Sequence, residues 1–185
     1  MIGSALSTRG MSWPLQATLG ALILCGFGPQ VIEMEGALPL SLQSLLVCWI
    51  PLMTGWRSGL TAILLYLAAG ALGLPVFAAN RAGLEVIAGP TGGYLLGFPM
   101  VAFLLGIIGN WAEDLAIRTR YGVVAIAMLL GHALILALGI PWQMQFDPDL
   151  NPALLLERLA RPVALKSAVG LLLSVVAIRS VQRRA

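Results

Sequence analysis

Lys166 stands in the run Pro162-Val163-Ala164-Leu165-Lys166-Ser167-Ala168-Val169-Gly170-Leu171-Leu172, apolar on both sides. A charge in the middle of such a span costs roughly 2.5–3.5 kcal/mol on insertion scales, so it calls for a use. Inside a helical bundle an ammonium meets an anion: a carboxylate, a phosphate or a protein acid. The bland alternative is a stem that snorkels to the outer boundary. The inner boundary is out of reach, because the stretch from Lys166 to Ile178 makes about 18 Å of helix.

Other residues could share that chemistry. Gln43 and Asn80 are amides that flank apolar segments, and an amide both donates and accepts hydrogen bonds, which suits a neutral polar ligand. Gln43 also fits a plain interfacial helix start. In Gly89-Pro90-Thr91-Gly92-Gly93-Tyr94, proline fixes one torsion and the glycines permit positive φ. Thr91 is placed to cap a helix beginning near Tyr94. Such a turn either offers backbone N–H groups to a ligand or simply starts a helix. It lacks the Lys-Ser/Thr ending of a phosphate loop. His132 is a lone histidine and reads as a hydrogen-bonded structural group. Ser58 has no G-x-S-x-G surroundings, so a serine nucleophile is rejected. Cys25 and Cys48 have no metal-site spacing, and neither a disulfide nor a metal is expected.

Composition sets the stage for these groups. Hydrophobic residues make up 59% of the 185 and charged ones 10%, against about 25% charge in a soluble domain. This is an integral membrane protein of one domain, residues 1–185, with room for about six spans at about 20 residues each. No soluble catalytic or nucleotide-binding domain fits, so an enzyme is not expected. The formal charge of +3 is scattered between spans and points to orientation in a membrane rather than to nucleic acid.

Punctuation by Pro, Gly and charge places the spans at Leu15–Ile32, Ser41–Met53, Leu60–Leu74, Tyr94–Trp111, Val123–Gly139 and Pro162–Ile178. A surface helix over Ala153–Leu159 would precede the last. The second span is short and is expected to tilt or to break at Pro51; Pro141 is expected to stop the fifth. The first is expected to be retained, because Leu24 stands before Cys25 where a cleavage site wants a small residue. Arg9, Arg57, Arg118, Arg120, Arg179, Arg183 and Arg184 fall on the side of the termini. Glu33, Glu35, Glu85, Asp147, Asp149 and Glu157 gather on the other, with Arg81, Arg158, Arg161 and Lys166. The basic excess puts both termini in the cytoplasm of a bacterial-type cell. The connection from Pro75 to Gly93 is long, apolar and rich in small residues, and is expected to fold back on the bundle as a lid or wall. Ala17, Ala21 and Cys25 recur every fourth residue and form a flat strip. It suits either packing within the bundle or the docking of another subunit.

Three blocks, taken in order, resemble a known family. They are Leu38-Pro39-Leu40-Ser41-Leu42-Gln43-Ser44, Gly70-Ala71-Leu72-Gly73-Leu74-Pro75-Val76-Phe77-Ala78, and Gly89-Pro90-Thr91-Gly92-Gly93-Tyr94-Leu95-Leu96-Gly97-Phe98-Pro99. Tyr66 falls where that family has a tyrosine. They are similar to the BioY family, the biotin-specific substrate-binding subunits of energy-coupling-factor (ECF) vitamin transporters. The resemblance implies a compact all-α bundle of six transmembrane helices with a long ordered loop between helices 3 and 4. It implies capture of biotin as transported ligand, with no cofactor, in the plasma membrane. It implies partnership with a transmembrane coupling subunit and ATPase subunits, docked through Ala17 and Ala21. The implied ligand contacts are Gln43, Phe77, Asn80, Gly89, Thr91, Gly92, Tyr94 and Lys166. One position departs from the pattern: the D-x-x-K start of the family's last helix has Val163 in place of its acid. The same scaffold retuned for another small carboxylated metabolite, and a ligand-free structural subunit, are the competing readings.

Overall fold

The computed structural model describes residues 12–34 and 40–182, the side chains of 181 and 182 excepted. Arg9, Glu35, Arg183 and Arg184 of the charge argument, and the Leu38-Pro39 opening of the first block, lie outside the described residues.

Backbone polar groups with no water to bond must bond one another, and helices do so within one segment. Helix α1 spans Trp13–Phe27, with Pro14 in the first turn where its missing N–H is no loss. It stops at Gly28-Pro29 instead of reaching Ile32. Val31–Ile32 (β1) instead pairs antiparallel with Leu40–Ser41 (β2), Val31 opposite Ser41.

Helix α2, Leu42–Ala71, is broken at Gly55, where φ is 79° and ψ 171°. Along a straight helix Pro51 and Gly59 would lie about 12 Å apart. Instead, a Cβ added to Gly59 would stand 2.5 Å from the Pro51 α-carbon. The chain therefore doubles back, and α2 is a hairpin of two arms matching the second and third spans. The break falls at Gly55, not Pro51, because a backbone reversal with positive φ needs a residue without a Cβ. Pro51 stays inside its arm.

The connection that follows is ordered: a 3-10 turn at Ala78–Asn80, then a short helix α3, Leu84–Ala88. Helix α4 runs Gly92–Ala112 and α5 runs Ile117–Gln143. Pro141 does not end α5. Tertiary bonds hold its last turn: Trp142 Nε1 donates to Gly89 O at 2.9 Å, and Tyr94 Oη donates to Gln143 Oε1 at 2.8 Å.

The separate surface helix over Ala153–Leu159 is absent, because α6 is continuous over Pro152–Gln182 through Pro162. Its start is fixed by Asn151, whose Oδ1 accepts from the N–H groups of Ala153 and Leu154 at 3.0 and 3.2 Å, with Pro152 in the first turn. Its 31 residues make about 46 Å of helix, longer than the roughly 30 Å hydrocarbon layer. Among the described residues α4, α5 and α6 are long and apolar enough to cross a membrane; α1 is apolar but shorter. The core runs between these helices, through Leu24, Val47, Tyr66, Val101 and Met128.

Candidate ligand-binding site

Contacts sort the molecule into two ends. At one, Leu42 N donates to Gln30 O and Ala79 N to Pro29 O, each near 3 Å. This brings the end of α1, the start of α2 and the long connection together. A cavity of about 420 Å³ opens there, within the roughly 300–1,000 Å³ of small-molecule sites.

Lys166 reaches the cavity wall from α6. It is 6% exposed, and its Nζ donates to Ser44 Oγ at 2.9 Å. The side chain points into the bundle rather than outward, so snorkelling does not describe it. Two of its three N–H donors remain for other partners. Gln43 is buried on the same wall; its Oε1 accepts from Ala78 N at 3.0 Å, while its Nε2 has no hydrogen-bond partner. A buried amide donor without an acceptor costs about 1–3 kcal/mol. Both side chains therefore hold unspent donors at the edge of an empty space.

Phe77 lines the cavity but is 1% exposed. It packs edge-on against Tyr66, with ring centroids 5.7 Å apart, and lies over Gly70. It is a fixed wall, not a flap. Tyr66 Oη in turn donates to Val76 O at 3.0 Å, tying the connection to the second arm of α2. Thr91 and Tyr94 also face the cavity. Thr91 does not cap α4 with its side chain; its Oγ1 turns back to Val86 O, 3.5 Å away.

Asn80, Gly89 and Gly92 are not on the wall. Asn80 is exposed. It shares a tight turn with Ala79 in which both have φ near +60° (59° and 57°). This points its neighbours Ala79 and Arg81, rather than the amide, to the cavity. Gly89 and its glycine neighbours serve packing. Gly89 O accepts from Trp142, and a Cβ on Gly93 would collide with the Trp142 side chain. The turn is thus seated on α5, which explains the glycines without a ligand.

The sequence reading missed Arg81, Ser44 and Gln143 on the wall, and Leu155 and Leu159 of α6. The last two were assigned to a surface helix. Spacing gave one signal: Leu155, Leu159 and Lys166 share a face once α6 is one helix. Val163 is half-buried and lies off the wall. Among the described lining residues there are two cations, Arg81 and Lys166, and no carboxylate.

At the other end some polar groups are paired, while Asn110 Oδ1, Arg120 Nε and Tyr121 Oη have no hydrogen-bond partner. Ser58 Oγ donates to Gln16 Oε1 at 3.1 Å in a buried contact, so Ser58 is structural. Arg120 faces Glu113 at 3.8 Å. Burial, opposed by Arg120 and helped by Asp114, pushes the Glu113 carboxyl up to about 7. His132, deep in α5, bonds Met128 O through Nδ1 at 2.8 Å, while its buried Nε2 has no hydrogen-bond partner. Ala17 and Ala21 are 1% and 8% exposed. α2 covers their face: a Cβ on the adjoining Gly20 would meet Ala62 at 3.0 Å and Ile50 at 3.1 Å. Ala17 and Ala21 of the strip thus pack against α2, while Cys25 is partly exposed.

Known proteins were compared with this geometry. The model of the BioY family matches residues 4–185. The probable biotin transporter BioY of Pyrococcus horikoshii is 35% identical over 123 residues, 66% of this chain and 69% of that protein. Biotin transporter BioY2 of Lactococcus lactis is 35% identical over 126 residues, 67% and 65% of the two chains. The biotin transporter BioY of Thermotoga maritima is 38% identical over 105 residues, 57% and 59%. The chain thus spans about three-fifths to two-thirds of these relatives. A crystal structure of the S-component for biotin from an ECF-type ABC transporter shares the fold, with a TM-score of 0.69 at 24% identity over 93% of this chain and 90% of that one. These relatives are transporters by name, in keeping with a chain expected not to be an enzyme. By the family match over nearly its whole length, the chain belongs to the BioY family.

Proposed function

We propose that this chain is the biotin-capturing subunit of an ECF-type transporter. The observation that carries the reading is the cavity wall itself, where the Lys166 ammonium and the free Gln43 amide face a space of about 420 Å³. Apolar side chains such as Phe77, Phe98 and Leu159 make up the rest of that wall. Biotin has a polar ureido ring, an apolar bicyclic body and a carboxylate on an aliphatic tail, and each part meets a counterpart there. The names of the relatives point the same way. The sequence has no phosphate-loop motif, so concentrative uptake draws on ATPase subunits and a transmembrane coupling subunit.

In this reading α1, the two arms of α2, α4, α5 and α6 are the six spans of a single domain in the plasma membrane. The cavity opens outward and both termini are cytoplasmic. Arg57, Arg118, Arg120 and Arg179 at the end away from the cavity support that orientation. Cysteines placed at Ser4 and Arg184 are then shielded from a membrane-impermeant thiol reagent in whole cells, while one at Asp149 reacts. Reaction at either terminus would reverse the orientation.

Equilibrium binding to the purified chain tests the ligand. Saturable, tight, one-to-one binding of biotin supports the reading. A second reading, another small carboxylated metabolite, is favoured by two features: among the described residues no carboxylate lines the cavity to accept the ureido N–H groups, and Val163 stands where the family has an acid. Preference for another acid in a competition panel would replace biotin with that ligand.

A further inference from the structure

We propose that Arg81 is the specificity-determining residue for the ligand's carboxylate, leaving Lys166 to hold the ligand's neutral polar end. This rests on the biotin reading above.

Among the described residues two cations reach the cavity, and they sit in different surroundings. Lys166 is 6% exposed and engaged by Ser44; Arg81 is exposed at the rim. A free carboxylate is far costlier to strip of water than a urea, so the ligand's acid belongs at the wet rim and its ureido ring at the closed side. There the ureido carbonyl is a strong neutral acceptor for the two unspent Lys166 N–H donors and the Gln43 Nε2. The flexible tail carries the carboxylate back toward the rim.

The guanidinium is held ready for it. Arg81 spends its Nε on Ala78 O at 3.2 Å, which leaves the two terminal nitrogens as a fork suited to a carboxylate. Among the described residues no carboxylate pairs with it. The turn that aims it is unusual. Ala79 and Asn80 both have positive φ without being glycine, a conformation that persists only where surroundings enforce it. The enforcers are visible: Ala78 N bonds Gln43 Oε1, Ala79 N bonds Pro29 O, and Phe77 N bonds Arg81 O, both at 3.0 Å. The fold bends its backbone against preference at the residues that bring Arg81 over the cavity.

The test compares biotin with biotinamide, which lacks the negative charge, on the full purified chain. The wild type binds biotin more tightly than biotinamide. Arg81→Gln weakens biotin by about tenfold or more, the range of a charge-assisted hydrogen bond at a partly wet site, and leaves biotinamide within a factor of two, so that discrimination disappears. Arg81→Lys, which keeps the charge, retains most of it. Arg81 is exposed, and an unchanged thermal midpoint of the variants shows that they fold. Equal weakening of both ligands, or of neither, overturns the proposal while biotin binding by the wild type stands. So does loss of discrimination in Lys166→Met with Arg81 intact, which would assign the carboxylate to Lys166. A wild type that binds neither ligand overturns both this assignment and the biotin reading.

Discussion

The two ends of this bundle differ in what borders their unpaired polar groups. At the end of the α4–α5 turn Ser58 pairs with Gln16 and Arg120 faces Glu113, and the groups left without a hydrogen-bond partner, Asn110 Oδ1, Arg120 Nε and Tyr121 Oη, do not line the cavity. At the cavity end Lys166 has unspent donors, Gln43 has an amide nitrogen with no acceptor, and Arg81 meets no acid among the described residues. A chain in lipid cannot leave buried donors unmatched without cost. The difference teaches where a polar molecule from outside fits: only at the cavity do the unspent donors border a space large enough for a small ligand.

The strongest blow to that contrast falls on Lys166. Lys166→Ala should weaken biotin binding by about 1.5–3 kcal/mol, roughly ten- to a hundredfold, as for loss of a charged hydrogen bond. Thermal stability should hold or rise, because a buried charge is removed. Titration calorimetry and a melting curve on the same sample check both halves. A fall in stability with unchanged affinity would make Lys166 a structural group.

Next comes the seat of the wall. Gly93→Val would push Trp142 off the turn that it anchors. Overpacking of about 1–3 kcal/mol is expected, with binding and thermal midpoint falling together. Binding that survives intact would show that the connection is not needed to shape the cavity. Ser58→Ala, at the end away from the cavity, should cost about 1 kcal/mol of stability and leave the dissociation constant alone. A binding defect there would erase the contrast between the ends.

The smallest effect is a pH dependence at the end away from the cavity. Burial raises the Glu113 carboxyl from its ordinary 4.5 to about 7. The folded chain therefore holds a proton that the unfolded chain has released. Its stabilising contribution is complete below about pH 4.5 and is lost as pH rises through about 7. Glu113→Gln should flatten the slope of stability between those values and leave biotin affinity unmoved. An unaltered slope would show that Glu113 titrates normally.

Much of this was legible in the sequence. Composition and charge gave the membrane class, and proline, glycine and charge located most of the helices, because a backbone without water must bond to itself. Lys166 and Gln43 were found since a polar group in an apolar run has few cheap explanations. What sequence missed depends on tertiary contact. Pro141 and Pro162 read as breaks, yet the bond that Trp142 donates to Gly89, the bond that Gln143 accepts from Tyr94 and a cap from Asn151 carry the helices past or up to them. Asn80 and Arg81 are adjacent, and only the backbone of a strained turn decides which one faces the cavity. The alanine strip likewise read two ways until α2 was seen to cover it.

The central claim is that the unmatched donors of one cavity are completed by biotin. The most direct test is a structure of the chain determined with biotin present. The account predicts ligand density in the cavity, within hydrogen-bond distance of Lys166 Nζ and Gln43 Nε2, with the tail directed to Arg81. Biotin bound elsewhere on the chain, or a cavity that stays closed to it at saturating concentration, would contradict the account.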